Sequence, residues 1–207
     1  MRRTLFRLTR AAFSTAAAVI VLGTATCILD SGGTEPDPGP PSNLDPFPFA
    51  DVDNWWQYTE SGGNRLTIDV NSTISDDDDV YYKVTFMEEQ VDTTDDWFKR
   101  TSTSVLFSES LTGGYHLFLP LRLTERSGTF GSASGSVHYE YRDSSEVGDT
   151  TYRRTVTLTY ETPVLHGFTR IVFADSVGIV SMIDERSRFA VTYVLDSARV
   201  YGEKLAY

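Results

Sequence analysis

The sequence predicts an all-β domain, an antiparallel meander of about nine or ten strands forming a barrel, a half-barrel or a sandwich. Three observations predict it. The dominant apolar period from Trp55 onward is two, the period of a strand with one packed and one wet face. The periodic runs are rich in Val, Ile, Thr, Tyr and Phe, which suit a pleated surface. The segments between them are short and turn-like, as hairpin links are.

The runs follow in order. Leu66, Ile68 and Val70 alternate with Thr67 and Asp69. Val80, Tyr82, Val84 and Phe86 alternate with Tyr81, Lys83 and Thr85. Val137, Tyr139 and Tyr141 alternate with His138 and Glu140. Tyr152, Arg154, Val156, Leu158 and Tyr160 alternate with a threonine-rich face, and Phe189, Val191, Tyr193 and Leu195 close the series. NSTISDDDD, QVDTTDD, SLTGG, RSGTFGSASG, RDSSEVGD and ADSVG read as turns between them. No dozen residues of this region carry a 3.6 period, so the crossover helices of a parallel sheet are not expected. Thr, Lys, Arg, Asp and Glu on the outward faces disfavour a membrane barrel, which needs an apolar belt.

Charge is unevenly placed along the 207 residues. Arg2, Arg3, Arg7 and Arg10 lie in a start without acids, followed by an apolar run from Ala11 to Leu22. That run has the length of a secretory h-region and is too short to span a bilayer as a helix. Residues 1–26 therefore read as an export signal. Without its four arginines, 14 basic residues face all 29 acidic ones, a net charge of −15. Such acidity argues against nucleic acid as a partner. From Asp30 to Ala50 lie six of the eight prolines, with Gly32, Gly33 and Gly39. Such a segment supports neither helix nor ladder. Residues 27–50 read as a spacer, on the order of 60 Å long if extended at about 3.1 Å per residue, and residues 51–207 as one domain.

Cys27, the only cysteine, stands where the signal ends. The N-terminus resembles a bacterial lipoprotein signal, in which a short lipobox precedes a cysteine that becomes diacylated. Thr26 and Thr24 stand where Gly or Ala and Leu are usual, and Leu22 lies two positions early. Gly23 and Ala25 also fit ordinary cleavage after Ala25. The resemblance implies a membrane anchor at Cys27. Ile28 after it, in place of Asp, implies the outer membrane of a diderm cell envelope. Trp56-Gln57-Tyr58 after a Pro-rich linker and Ala174-Asp175-Ser176-Val177-Gly178-Ile179-Val180 near the end resemble a diffuse group of exported, often lipid-anchored all-β bacterial domains. That group implies no catalytic residues.

Few residues carry recognisable chemistry. Asp76, Asp77, Asp78 and Asp79 form the densest charge run and offer weak Ca²⁺ binding or a solvated turn. The Gly and closing Glu of a calcium loop are missing in both frames. His116, His138 and His166 lack metal-ligand spacing. Gly131 to Gly135 places Ala133 where a nucleophile elbow needs Ser, and nothing gathers a Ser/His/Asp set. Trp55, Trp56, Tyr58 and Trp97, with Phe98, line a ligand pocket or plug the core. Arg153 and Arg154 are expected to pair with Glu140 or Asp143 across a hairpin.

Two functions fit. One is an exported, lipid-anchored, non-enzymatic protein that needs no cofactor and binds an envelope or extracellular partner: protein, glycan or lipid. The alternative is a carrier of an apolar ligand or lipid in a half-barrel cavity. A glycan hydrolase is disfavoured, because the acids cluster in turns rather than as a pair in an apolar setting.

Overall fold

The computed structural model describes residues 52–76, 79–89, 93–132, 135–185 and 190–206. The signal, Cys27 and the spacer lie outside the described residues. Thirteen strands follow one another: β1 Trp55–Glu60, β2 Arg65–Asp76, β3 Asp79–Glu88, β4 Thr93–Arg100, β5 Ser104–Ser108, β6 His116–Pro120, β7 Ser127–Ser132, β8 Gly135–Val147, β9 Thr150–Val164, β10 Phe168–Ala174, β11 Gly178–Asp184, β12 Val191–Val200 and β13 Glu203–Ala206. All pairings are antiparallel, in the order β6-β5-β4-β3-β2-β1-β12-β11-β10-β9-β8-β7, with β13 on β12. The chain therefore runs as two meanders joined where β1 meets β12.

The antiparallel all-β expectation holds, but among the described residues the strands number thirteen rather than nine or ten. The difference lies in polar segments. Asn71–Asp76, Thr93–Asp96, Ser127–Ser132 and Arg142–Val147, expected as turns, are strand. A hydrogen-bonded ladder satisfies their backbone groups whatever the side chains face. Polarity marks only the lack of a buried face.

Two bulges shift the register of the sheet. Gln57 pairs with Ser197 but Tyr58 with Leu195, so Asp196 is an extra residue in β12. An extra residue flips the alternation. Tyr193 and Leu195 face inward before it, and Ala198 and Val200 after it. Asn71 does the same in β2, which shifts register between Val70 and Ser72. Trp56, Tyr58, Ile68, Phe98, Leu158, Ile171 and Phe173 fill the interior.

The sheet curls until its outer strands β6 and β7 approach each other, a nearly closed barrel. Phe118 of β6 reaches across the seam. It stacks on Tyr160 of β9 at 6.4 Å and meets Phe173 of β10 edge-on at 6.0 Å. Each hairpin has its turn at one of two ends. Val52 and Asn54, where the chain enters, lie at the end of the β12–β13 turn, since the Tyr201 amide donates to Asn54 Oδ1 (2.9 Å). The β5–β6, β7–β8 and β9–β10 turns lie at the other end.

Candidate functional site

A cavity of about 580 Å³ opens at the end far from the chain entry. The β5–β6 loop forms one wall and the β9–β10 turn the other, with Phe118 and Tyr160 at the base.

The β5–β6 loop is folded onto itself. The Ser108 hydroxyl donates to the Ser110 carbonyl (2.9 Å), and the Gly113 amide donates to the same carbonyl (3.1 Å). A Cβ on Gly113 would stand 2.5 Å from Ser108 Oγ. A side chain here would push that hydroxyl off its bond to Ser110.

The opposite wall is strained. Leu165, His166 and Gly167 take φ of 42°, 62° and 91°. Left-handed backbone costs side-chain-bearing residues about 1–3 kcal/mol each and persists only where surroundings hold it. Here Leu165 is buried, and the His166 ring lies on Phe86 at 4.4 Å. His166 Nε2 stands 2.7 Å from Oδ2 of Asp96, which is 4 % exposed. One proton shared between Nε2 and Oδ2 makes this a hydrogen bond that fixes the ring. Asp96 points inward from β4 between Asp95 and Trp97, which both point outward by alternation.

Tyr160 is the other marked group. It is buried, and its hydroxyl has no hydrogen-bond partner among the described residues. Burial pushes its pKa well above the ordinary tyrosine value, so the phenol is neutral. The remaining lining mixes Phe107, Leu117, Pro163 and Val164 with Ser108, Ser110, Ser132, Glu109 and His116. Among the described residues that line the cavity there is no lysine or arginine.

The aromatic residues singled out from the sequence do not come together. Trp56 and Tyr58 are fully buried in the core. Trp56 Nε1 donates to the Val177 carbonyl (2.7 Å) and the Tyr58 hydroxyl to that of Ile179 (3.0 Å). Trp55 and Trp97 alternate to the outer face, on strands three apart in the sheet. Of the aspartate run, Asp77 and Asp78 lie outside the described residues. Asp76 pairs in register with Asp79, whose carboxylate takes bonds from Lys99 and Tyr81. Among the described residues no three His, Cys, Asp or Glu are grouped to hold a metal. Arg154 pairs with Asp175 (2.7 Å) rather than with Glu140 or Asp143. Those two carboxylates are taken by Arg142 (3.0 Å) and Arg126 (3.1 Å). The reason is local: Arg154 has φ 51°, and its carbonyl accepts from the Asp175 amide in the β10–β11 turn.

Sequence reasoning passed over Asp96, Tyr160 and the role of His166. The Pro-Val-Leu-His-Gly string signals a turn. Its contact with Asp96, 70 positions away, leaves no trace in spacing.

These features define a class: a nearly closed antiparallel β-barrel with a mixed polar and aromatic cavity at one end. No family model and no curated protein matches the chain. Among solved structures the chain is similar to a protein of Parabacteroides distasonis described as a "putative lipoprotein", at 8% identity and a TM-score of 0.41, covering 80% of this chain and 100% of the other.

Proposed function

We propose that the chain is an exported lipoprotein, anchored through Cys27, whose barrel captures an envelope or extracellular partner without chemistry. The observation that carries this reading is the position of the cavity. It opens at the end opposite Val52 and Asn54, which leaves its mouth clear of the first residues of the barrel. Its volume lies within the roughly 300–1,000 Å³ of small-molecule sites. The placement of Cys27 after an h-region supports the anchor, and several acyl chains, at about 0.8 kcal/mol per buried CH₂, hold a protein on a bilayer.

Geometry also supports a binding rather than a catalytic role. An Asp–His pair beside hydroxyls invites comparison with a nucleophile triad. Thr94 Oγ1, however, is 3.2 Å from both His166 ring nitrogens. An atom equidistant from both lies off the in-plane axis of each nitrogen, so the ring is not poised to take its proton. Ser108 is committed to the Ser110 carbonyl. Transport of an apolar ligand is the second reading, favoured by the cavity volume. Its seryl, histidyl and glutamyl lining favours a ligand with polar groups instead.

The test expresses the full chain and its Cys27→Ser variant in a diderm host. The parent is expected in the membrane fraction, labelled by radioactive palmitate, and Cys27→Ser unlabelled. Native mass spectrometry of the detergent-purified parent should show a co-purifying ligand. Equal labelling of both proteins would overturn the anchor, and a bare protein mass the capture.

A further inference from the structure

We propose, resting on the capture reading above, that the end cavity is a site for an uncharged, hydroxyl-bearing ligand of mono- or disaccharide size. Four observations point there. The absence of lysine and arginine from the described lining leaves an anionic ligand without a counter-charge, and the −15 charge of the mature chain repels it. The partly exposed Phe107 and Leu117 offer an apolar surface to the C–H face of a sugar ring. Hydroxyl groups both donate and accept, which matches the rim of serines and the imidazole of His166. Asp96 fixes that ring through Nε2, leaving Nδ1 to meet a ligand hydroxyl, which can donate or accept.

Tyr160 carries the argument furthest. A buried hydroxyl without a partner costs free energy, and this one sits on a residue lining the cavity. Its oxygen is closed off in the free protein, so a ligand hydroxyl would bond to it only as the lining parts, and that bond would remove the cost. Burial keeps the phenol neutral, so it can donate or accept as a sugar requires. Held backbone strain at Leu165 and His166 is also typical of ligand-binding turns.

The test titrates the full chain in nanodiscs with maltose, cellobiose and N,N′-diacetylchitobiose. Glucuronate, spermidine and N-phenyl-1-naphthylamine serve as anionic, cationic and apolar probes. Binding counts for the cavity only where Leu117→Trp, which fills it, abolishes the signal. Tyr160→Phe should weaken disaccharide binding about tenfold, the worth of one buried hydrogen bond. It should leave the melting temperature equal or higher, because the hydroxyl has no partner in the free protein. Tyr193→Phe, whose hydroxyl donates to Glu88 (2.8 Å) away from the cavity, should not change affinity. If a charged or apolar probe alone binds with Leu117→Trp sensitivity, the ligand class is wrong and capture stands. A disaccharide indifferent to both cavity variants would overturn the site. Failure of every disaccharide overturns the proposal, whereas a bare mass of the purified parent is the separate failure of capture itself.

Discussion

At the scale of single residues, polar atoms inside the barrel complete a backbone the sheet leaves open. β11 pairs with β12 only from Ser181 to Asp184, and from Ser197 onward that edge of β12 is taken by β13. The carbonyls of Val177 and Ile179 are instead met by Trp56 and Tyr58. Tyr58→Phe leaves the Ile179 carbonyl buried and bare. It should cost about 1–3 kcal/mol, read as a lowered denaturant midpoint at unchanged m-value. Two aspartates should act on stability in opposite senses with pH. Bonds from Lys83 and Thr85 hold the Asp95 carboxyl below the usual carboxylate range. Its contribution is present above the unfolded pKa of about 4 and fades as pH falls through the lower folded value. Asp95→Asn should therefore lower the melting temperature at pH 7, with the gap closing in acid. Burial, with Asp53 nearby, pushes Asp69 up. Its folded form favours the proton, so its ionised form costs stability above the folded pKa and the cost disappears as pH falls. Asp69→Asn should raise the melting temperature at pH 7 and lose that advantage in acid. A pH series of melts on the three proteins checks both signs.

At the scale of elements, what could be read depended on whether a strand had a core face. Leu66, Ile68, Val70 and the even positions from Val156 to Tyr160 alternate cleanly and are buried as their period implies. Ser127–Ser132 has the burial of an edge strand, alternating between exposed and partly covered residues with none fully buried. Its Gly128 pairs with Tyr139, whose ring would stand 2.8 Å from an added Cβ. The missing side chain is a bed for an aromatic neighbour, which a single-strand pattern does not reveal. The end of the β2–β3 hairpin shows the converse. Ile74 and Val80 keep an apolar identity yet are 38% and 37% exposed, because β1 begins opposite Asp69 and leaves the arm uncovered beyond it. The candidate cavity belongs to this scale as well. Its two walls are turns with legible Gly signals, at Gly113 and Gly167, but which turns share an end follows only from counting all strands.

At the scale of the whole molecule, closure is a packing event. No backbone ladder joins β6 to β7 among the described residues. Phe118 bridges the seam, with its ring beside Phe98, Phe107, Tyr160 and Phe173. Phe118→Ala should cost about 3–5 kcal/mol, the upper range of core truncations, and should open the seam. The check is a denaturation midpoint together with amide exchange. Protection should fall first in Ser104–Ser108 and His116–Pro120, and a uniform loss across all strands would show that the seam has no special role. Phe118 also lines the cavity, so the contact that closes the barrel shapes the base of the site.

The sequence by itself determined the class of fold, the acidity of the domain and the place of the single cysteine behind a basic and then apolar start. These rest on local properties: a period of two, side-chain charge, and adjacency along the chain. The tertiary structure alone decided that Trp56 and Tyr58 serve the core while Trp55 and Trp97 face outward. It also decided that His166 meets Asp96, and that the cavity lies at the far end from the chain entry. Each depends on register and on sheet closure, which bring residues 121 and 70 positions apart into contact. Their strength comes from burial and hydrogen bonding between strands, and neither quantity is written in the spacing of residues along one strand.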